Sequence, residues 1–389
     1  MEYLNIIDFC SSSTSIWLRI TFVIMFLYCS VRLSKFIWGL RFKIVHQTSN
    51  SSKTRRRPNR KKNRARKKHI PDVSVAPDSH SQPKEDLNTE DDLCVEPLVK
   101  FPLQSLADAT KKFDLDLRTS VDGLGSVFKG KLKNTEEVLI IRRLNEVSLL
   151  TPEEFEDEVS LLSQANHQNL TKLIGYSIKF YKRFLVYDYV SGGTLESHLY
   201  GNPKCLDWET RMKIVVGVAK ALRYLHNEMK TPILHCYIHP SNIWLDENCN
   251  PKLSAYGVVR LYYPAKRNMV SSFMIGSYYY TIHDHRLTRK VTIEADIYGF
   301  GIFLLEIITG RKGCIIREDG VAEYLIDWVQ PYLKDKQKLA EIVDSRLGGN
   351  FKEEELYEVC NIAEMCLKKQ PSDRPPMADL VTRMSHLGE

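Results

Sequence analysis

The chain has 389 residues and a formal net charge of +7, with 43% hydrophobic and 26% charged residues. This length accommodates two or three units, and the composition excludes a wholly disordered chain. The nine cysteines show no C-x-x-C pair and no metal-ligand spacing. We therefore expect reduced thiols, no disulfide framework and no metal site.

Residues 16–31 are almost wholly apolar and predict a membrane anchor. As a helix they span about 24 Å, which is short for a bilayer core of about 30 Å but workable with flanking residues. Basic residues follow this run and only Arg19 interrupts it, so the amino terminus is expected outside and the rest of the chain in the cytosol, at the plasma membrane. A cleaved signal peptide, disfavoured by Glu2 and Asp8, and a buried or interfacial helix are the alternatives.

The segment 53–68 is strongly basic, because eleven of its sixteen residues are Lys or Arg. Its place just after the apolar run favours binding to anionic lipid. A nuclear address, a nucleic-acid tail and a solvated spacer are the alternatives, and nucleic acid is disfavoured because no aromatic residue is interleaved in the run. The residues concerned are Lys53, Arg55, Arg56, Arg57, Arg60, Lys61, Lys62, Arg64, Arg66, Lys67 and Lys68.

The chain is expected to have three parts. Residues 1–47 are the anchor and an interfacial stretch, 48–100 are a basic and then acidic, Pro- and Ser-rich disordered linker, and 101–389 are the folded body. Strand patterns dominate 101–190 and helix patterns dominate 191–389. The order predicts an α+β fold with a small β-rich lobe and a larger helical lobe.

Two helices are well marked in the sequence. One begins at Thr151, where a Thr cap, Pro152 and Glu154 give the pattern of a capping box with proline in the first turn. The other covers 297–308, which is apolar on every side and too short to span a membrane. Such a helix is expected in the interior of a large core.

Residues 235–257 have the spacing of a catalytic loop and a metal-binding turn. They contain His235-Cys-Tyr, Asn242 and Ala255-Tyr-Gly257 where protein kinases have H-R-D-x-x-x-x-N and D-F-G. Further runs are FPLQSLADATKKF, HQNLTKLIGY, LVYDYVSGGTL and PSDRPPM. On these runs, residues 101–389 resemble a protein kinase domain, and in particular those of plant receptor-like kinases.

The resemblance implies an ATP pocket between the lobes, and its phosphate end is altered. The family's Gly-rich loop falls on 120–127, where Asp122 replaces the second glycine and puts a negative charge near the phosphates. Arg142 replaces the strand lysine, with Glu158 as its expected partner. The adenine side is expected to include Val127, the gatekeeper Tyr187, and Asp188 and Val190 of the hinge.

The resemblance also implies that both catalytic aspartates are missing. Tyr237 stands at the position of the catalytic base, and a phenol with a pKa of about 10 is a poor proton acceptor at neutral pH. Ala255 stands at the position of the metal-binding Asp, and a methyl group does not ligate a metal. Cys236 and His239 replace two basic residues of the family pattern. The loop and scaffold positions that are kept or conservatively replaced are His235, Asn242, Gly257, Asp284, Asp296 and Arg374.

These substitutions favour a membrane-associated pseudokinase that serves as a scaffold or allosteric partner of active receptor-like or cytoplasmic protein kinases. No cofactor is required, and at most weak, metal-independent ATP binding is expected. One alternative is a low-activity atypical Ser/Thr kinase that transfers the ATP γ-phosphate. The other is a nuclear or nucleic-acid-associated regulator that uses the 53–68 run.

Overall fold

The computed structural model describes residues 98–122, 124–145, 150–201, 206–261, 292–319 and 321–387. They all lie in the second of two units into which the chain divides, Glu90–Glu389. The predicted anchor at 16–31, the basic run at 53–68 and the linker lie outside the described residues. Within the described part, no helix is both long and apolar enough to cross a membrane.

The amino-terminal lobe is built on a six-stranded sheet with the order β1-β5-β6-β4-β3-β2. Only the β1–β5 pair is parallel. Strands β2 to β6 agree with the strand patterns predicted for residues 101–190. The strands of this sheet are β1 Val99–Lys100, β2 Arg118–Asp122, β3 Gly125–Lys131, β4 Val138–Leu144, β5 Leu173–Lys179 and β6 Lys182–Asp188.

The remaining described structure is mainly helical, with two small two-stranded sheets, β7–β8 and β9–β10. These strands are β7 Ile243–Leu245, β8 Pro251–Leu253, β9 Cys314–Ile316 and β10 Ala322–Tyr324. The α-helices of the described part are α1 Leu103–Ala109, α2 Pro152–Ser163, α3 Trp208–Arg223, α4 Ile293–Thr309, α5 Leu325–Leu333, α6 Glu353–Cys366 and α7 Met377–Arg383. The predicted α+β, two-lobed arrangement is confirmed.

Both well-marked helices form where the sequence places them. Thr151 accepts from the backbone N–H of Glu154, and the Glu154 side chain accepts from the backbone of Thr151, so α2 begins with a complete capping box. From Ala295 to Thr309 every residue of α4 is buried. This helix is therefore the axis of the helical lobe, and its polar residues Asp296 and Glu306 are buried with it.

Helix α1 packs against one face of the sheet. Leu106 is fully buried in a small apolar cluster with residues of β4 and β6. Beyond the helix, Phe113 stacks on Phe184 at 5.2 Å between ring centroids and meets Phe128 edge-on at 5.5 Å. The opposite face of the sheet belongs to the main core, which holds Val127, Ile140 and Tyr187. This second face is the one from which the site is built.

Candidate active site and what occupies it

The carboxylate of Asp296 anchors the backbone of the loop that starts at His235. It accepts the backbone N–H groups of His235 and Cys236 at 2.7 and 2.6 Å. The Nε2 atom of His226 lies 2.9 Å from the same carboxylate. Burial opposes the charged form, but the bonds and charges of His226 and His235 outweigh it, so the pKa of Asp296 is lowered. The loop is thus tied to helix α4 by a buried anion.

His235 is a structural residue of the same loop. Its Nε2 atom lies 2.8 Å from the carbonyl oxygen of Ser254, and its Nδ1 accepts the backbone N–H of Tyr237 at 3.2 Å. Burial lowers its pKa to about 4, so the ring is neutral at physiological pH. A neutral ring with Nε2 protonated satisfies both bonds.

Three residues of the 235–242 loop and the 255–257 turn have left-handed backbone conformations. Cys236 has φ = 65°, Ala255 has φ = 62° and Gly257 has φ = 66°. A Cβ at Gly257 would collide with the side chain of Leu162 in α2, so glycine is needed there for the turn to pack under that helix. Ala255 adopts a conformation that Asn, Asp and Gly tolerate better than Ala does.

The phosphate end of the cleft is filled by the chain's own side chains. The Nη1 atom of Arg142 lies 2.9 and 3.0 Å from the two carboxylate oxygens of Asp122. Its Nη2 donates to Oδ1 of Asn242 at 2.6 Å. The side chains of Arg142 and Asp122 are only 2% and 3% exposed. The guanidinium therefore already has a buried anion at the place where the family's lysine meets a nucleotide phosphate.

The β2–β3 turn closes over this ion pair. The backbone N–H of Leu124 donates to the Asp122 carboxylate at 2.8 Å. The Leu124 side chain, at the tip of the turn, is fully buried in the main apolar core. At the base of the turn, Gly125 (φ = 136°) lies so close to the backbone of Arg143 that no Cβ would fit. Neither the inward position of Leu124 nor the reach of Asp122 to Arg142 was predicted from the sequence.

Tyr237 and His239 offer no proton acceptor or cation to a substrate. Burial, followed by the nearby Asp122 charge, raises the pKa of Tyr237, so its hydroxyl stays protonated. The Tyr237 ring stacks on that of His239, with centroids 5.4 Å apart and planes 16° apart. Burial lowers the pKa of His239 to about 4, and its Nδ1 contacts the hydroxyl and backbone N–H of Ser241.

The predicted adenine-side residues lie together near the cleft. Val127, Tyr187 and Val190 are buried in one apolar cluster, and Val127 is paired with Arg142 across β3 and β4. Burial raises the pKa of Tyr187, so it too stays neutral. Trp244, two residues after Asn242, is buried in the same cluster. Sequence reasoning missed Trp244, although a tryptophan so close to the loop asparagine was a visible signal.

For the remaining predicted site residues, the structure shows some of the expected contacts and not others. Asp188 donates its backbone N–H to Lys172 O at 3.1 Å at the end of β6. Glu158 is half-buried on α2, and its pairing with Arg142 stays a prediction. Arg374 donates to the carbonyl oxygens of Lys368 and Glu294. Its expected partner Asp284 lies outside the described residues.

The donors of this site do not fit a magnesium–nucleotide complex. Mg²⁺ takes oxygen ligands in near-octahedral geometry, usually with carboxylates. Position 255 carries a methyl group, and the Asn242 amide oxygen is already bound by Arg142. In the described ranges no cluster of three or more His, Cys, Asp or Glu side chains has the arrangement of a metal site.

Fold and site together define a protein kinase fold with an altered catalytic apparatus. Residues 122–384 match the family model described as "Protein tyrosine and serine/threonine kinase", and the chain belongs to this family. It is 36% identical over 346 residues to the Arabidopsis thaliana protein described as "Probable serine/threonine-protein kinase PBL7", covering 88% of this chain and 90% of that protein. It is 37% identical over 290 residues to the serine/threonine-protein kinase PBS1 of the same plant, covering 74% and 64%.

A solved structure has a similar fold. It is described as the pseudokinase domain of BIR2, an immune regulator of the RLK/Pelle family. The likeness has a TM-score of 0.63 at 31% identity and covers 75% of this chain and 87% of that one. The chain is therefore a kinase-domain protein related to plant cytoplasmic receptor-like kinases.

Proposed function

We propose that this protein is a catalytically inactive kinase homologue that acts as a scaffold or allosteric partner of active plant protein kinases. The observation that carries the proposal is the buried contact of Arg142 with Asp122 and Asn242. In the family these positions serve the nucleotide phosphates and the metal. Here they bind one another.

A nucleotide phosphate has to displace Asp122 before it can bind Arg142. Breaking this buried ion pair costs about 2–3 kcal/mol. Since about 1.4 kcal/mol corresponds to a factor of ten, the affinity for ATP falls by about one and a half to two orders of magnitude. Millimolar or weaker binding, without help from a metal, is the expected result.

Phosphoryl transfer would lack two further groups even if ATP entered. Tyr237 keeps its proton and cannot accept one from a substrate hydroxyl. Ala255 provides no oxygen ligand, so no metal bridges the phosphates at that position. Each loss reduces the rate by itself, and the two losses affect different parts of the reaction.

The relatives support both the proposal and its main alternative. BIR2 is described as a pseudokinase domain and an immune regulator, which favours a regulatory role on the same fold. PBS1 is named a serine/threonine-protein kinase, which favours a low-activity enzyme. The contacts of Arg142 with Asp122 and Asn242 support the regulatory role. We extend the proposal to an action at the inner face of the plasma membrane, through residues 16–31 and the basic run at 53–68.

Phosphoryl transfer separates the two functions. The full chain is incubated with γ-labelled ATP, Mg²⁺ or Mn²⁺ and a generic protein substrate, with an active kinase relative as the positive control. We expect no transfer by the native chain, and detectable transfer by a variant that combines Asp122→Gly, Tyr237→Asp and Ala255→Asp. Metal-dependent transfer by the native chain would establish the low-activity kinase instead.

The membrane part of the proposal has its own test. Fluorescently tagged full chain is compared in plant cells with a chain that lacks residues 1–47 and with a full chain in which the eleven basic residues of 53–68 are changed to Gln. We expect the full chain at the plasma membrane and loss of that localisation in both variants. Identical localisation of all three would remove the membrane from the proposal without affecting the statement about catalysis.

A further inference from the structure

A polar cavity of about 370 Å³ lies in the helical lobe and is lined by none of the residues that contact Arg142. One wall is the face of α3 that carries Lys213, Gly217 and Lys220. Another wall is formed by Asp246, in the turn between β7 and β8, and by Lys252 of β8. This volume is within the range of small-ligand sites, which is about 300–1,000 Å³.

The floor of the cavity is held in place by close packing. Gly217 has no side chain, and a Cβ there would collide with Pro251 of β8 and press on Asn169. The Asn169 amide donates to the Pro251 carbonyl at 3.0 Å, so α3, β8 and the segment before β5 are fixed to one another. The cavity is therefore a permanent feature of this lobe.

Three lysine side chains converge on the cavity, and two of them are oriented by backbone carbonyls. Lys213 Nζ donates to Asn248 O at 2.8 Å, and Lys252 Nζ donates to Gln168 O at 2.6 Å. An ammonium group has three protons, so each keeps donors for another acceptor. Lys220 has no hydrogen-bond or ion-pair partner among the residues that the structure describes.

The charges around the cavity are unbalanced. Asp246 is its single acidic lining residue, and this carboxylate already accepts the backbone N–H groups of Asn248 and Asn250 and the Asn250 side-chain amide. Burial lowers the pKa of the neighbouring His167; the Glu228 charge raises it, and the charges of Arg223, Lys220 and Lys252 lower it. Three cations thus face one carboxylate whose acceptor positions are largely used, and an added anion relieves their mutual repulsion.

We propose that this cavity binds a phosphate-bearing ligand through the ammonium groups of Lys213, Lys220 and Lys252. Lysine binds phosphate as a point charge, and a phosphate monoester carries about −1.5 to −2 charge at neutral pH, which matches the unbalanced charge better than a carboxylate does. The phosphate group is provided either by a soluble phosphorylated compound or by a lipid headgroup. The site is independent of the nucleotide cleft.

Lysine footprinting tests the site in the full chain, because it reports each residue separately from the basic run. The chain is acetylated briefly with and without inorganic pyrophosphate, and the acetylation rate of each lysine is read by mass spectrometry. If about two thirds of the sites are occupied, the three lysines react about threefold more slowly, since only the unoccupied fraction reacts. The exposed Lys369 is the internal control.

Two vesicle arms identify the source of the phosphate. One uses phosphatidylcholine with phosphatidylinositol bisphosphate, and the other uses phosphatidylcholine with enough phosphatidylserine to match its charge. Protection of the three lysines by pyrophosphate supports the site, and protection by the first vesicles alone supports it with a lipid headgroup as the source. Absence of protection by pyrophosphate and by phosphoinositide, or equal protection by phosphatidylserine or at Lys369, overturns the proposal.

A charge reversal checks that the lysines act as one site. Lys220→Glu removes no contact of the described structure and should abolish the protection of Lys213 and Lys252. Lys369→Glu, the matched change at an exposed position, should leave it intact. Unchanged protection in Lys220→Glu would contradict a shared anion. The melting temperature of both variants shows that they remain folded.

Discussion

The two ends of the loop between His235 and Asn242 differ in the contacts that their residues make. At the anchoring end, Asp296 still accepts two backbone N–H groups and faces His226, and the loop is folded by these contacts. At the phosphate end, Asn242 is bound by Arg142, which is itself paired with Asp122. The anchoring end holds the loop in shape, whereas at the phosphate end the side chains of Asp122, Arg142 and Asn242 bind one another.

The difference shows that a buried polar network persists when its members depend on one another for folding. Loss of Asp296 would leave two buried N–H groups without an acceptor, which is costly whether or not the protein is an enzyme. A phosphate-binding lysine has no such role and can be replaced. Once Arg142 takes its place, however, burial demands a counter-charge, and Asp122 provides it. Substitutions at the two ends should therefore have different effects.

The largest effect is expected at the anchoring end. Asp296→Asn turns an acceptor of two backbone N–H groups into a side chain that also donates, so at least one buried donor is left unsatisfied. We expect a loss of about 3 kcal/mol or more in the free energy of unfolding. Urea denaturation of the full chain measures it. The exposed Asp157→Asn is the control, and an equally small effect in both variants would show that Asp296 is not the anchor.

A slightly smaller loss is expected at the phosphate end. Asp122→Asn leaves the Arg142 guanidinium buried without its anion and should cost about 2–3 kcal/mol, less than a fully enclosed pair because the turn can open to water. Arg142→Met combined with Asp122→Asn should recover part of this loss. A double-mutant cycle gives the coupling. Strict additivity would mean that the two side chains do not form a stabilising pair in solution.

The pH dependence of stability reports mainly the buried imidazole of His235 and the half-buried imidazole of His239. His235 and His239 have a pKa of about 4 in the folded chain against 6.5 when unfolded, because burial disfavours the charged ring. The unfolded state therefore binds more protons between these values. Stability is complete above pH 6.5 and falls as the pH drops towards 4, by about 1.4 kcal/mol per pH unit for each ring.

Unfolding in urea between about pH 7 and pH 5 measures this slope. His239→Asn keeps an acceptor for the Ser241 N–H and removes one titrating ring, so the slope should fall, while His235 and the half-buried His167, whose pKa burial also lowers, keep part of it. Asp296 and Asp344 contribute little to this slope. Their pKa values are lowered in the folded chain, so their protonation changes stability only near and below the ordinary value of 3.8. A stability that stays constant over this range would show that neither ring is held neutral by burial.

The smallest effect is expected at Ala255. Its left-handed backbone disfavours a Cβ, but its methyl group is fully buried, so Ala255→Gly should raise the free energy of unfolding by no more than about 0.5 kcal/mol. Ala221→Gly, in the interior of α3, should lower it by about 1 kcal/mol or more, because glycine disfavours a helix and the site is buried. Thermal unfolding of the two variants compares the signs. A loss of stability in both would contradict the left-handed turn.

The sequence predicted the anchoring end better than the phosphate end. The capping box at Thr151, the buried helix that carries Asp296 and the altered positions Tyr237 and Ala255 follow from local patterns. The pairing of Asp122 with Arg142 joins residues from β2 and β4, and no local pattern specifies which acid a substituted arginine will meet. From the sequence, Glu158 on helix α2 was the expected partner of Arg142. The sequence also placed the negative charge of Asp122 near the phosphates, but it did not indicate the contact of Asp122 with Arg142.

The lysine cavity was also not predicted from the sequence. Lys213 and Lys220 are seven residues apart, so they share one face of α3, and this spacing was a usable signal. Lys252 comes from a strand more than thirty residues later in the chain, and only the packing of β8 against Gly217 brings it to the same cavity. The periodicity of a sequence does not predict tertiary contacts of this kind.

Nucleotide binding by the native chain and by Asp122→Gly tests the central claim most directly. The melting temperature of the full chain is measured with ATP alone and with ATP plus Mg²⁺. We expect no shift for the native chain under either condition, and a shift with ATP for Asp122→Gly that Mg²⁺ does not increase, because Arg142 is freed while position 255 still has no metal ligand. A Mg²⁺-dependent stabilisation of the native chain by ATP would contradict the account.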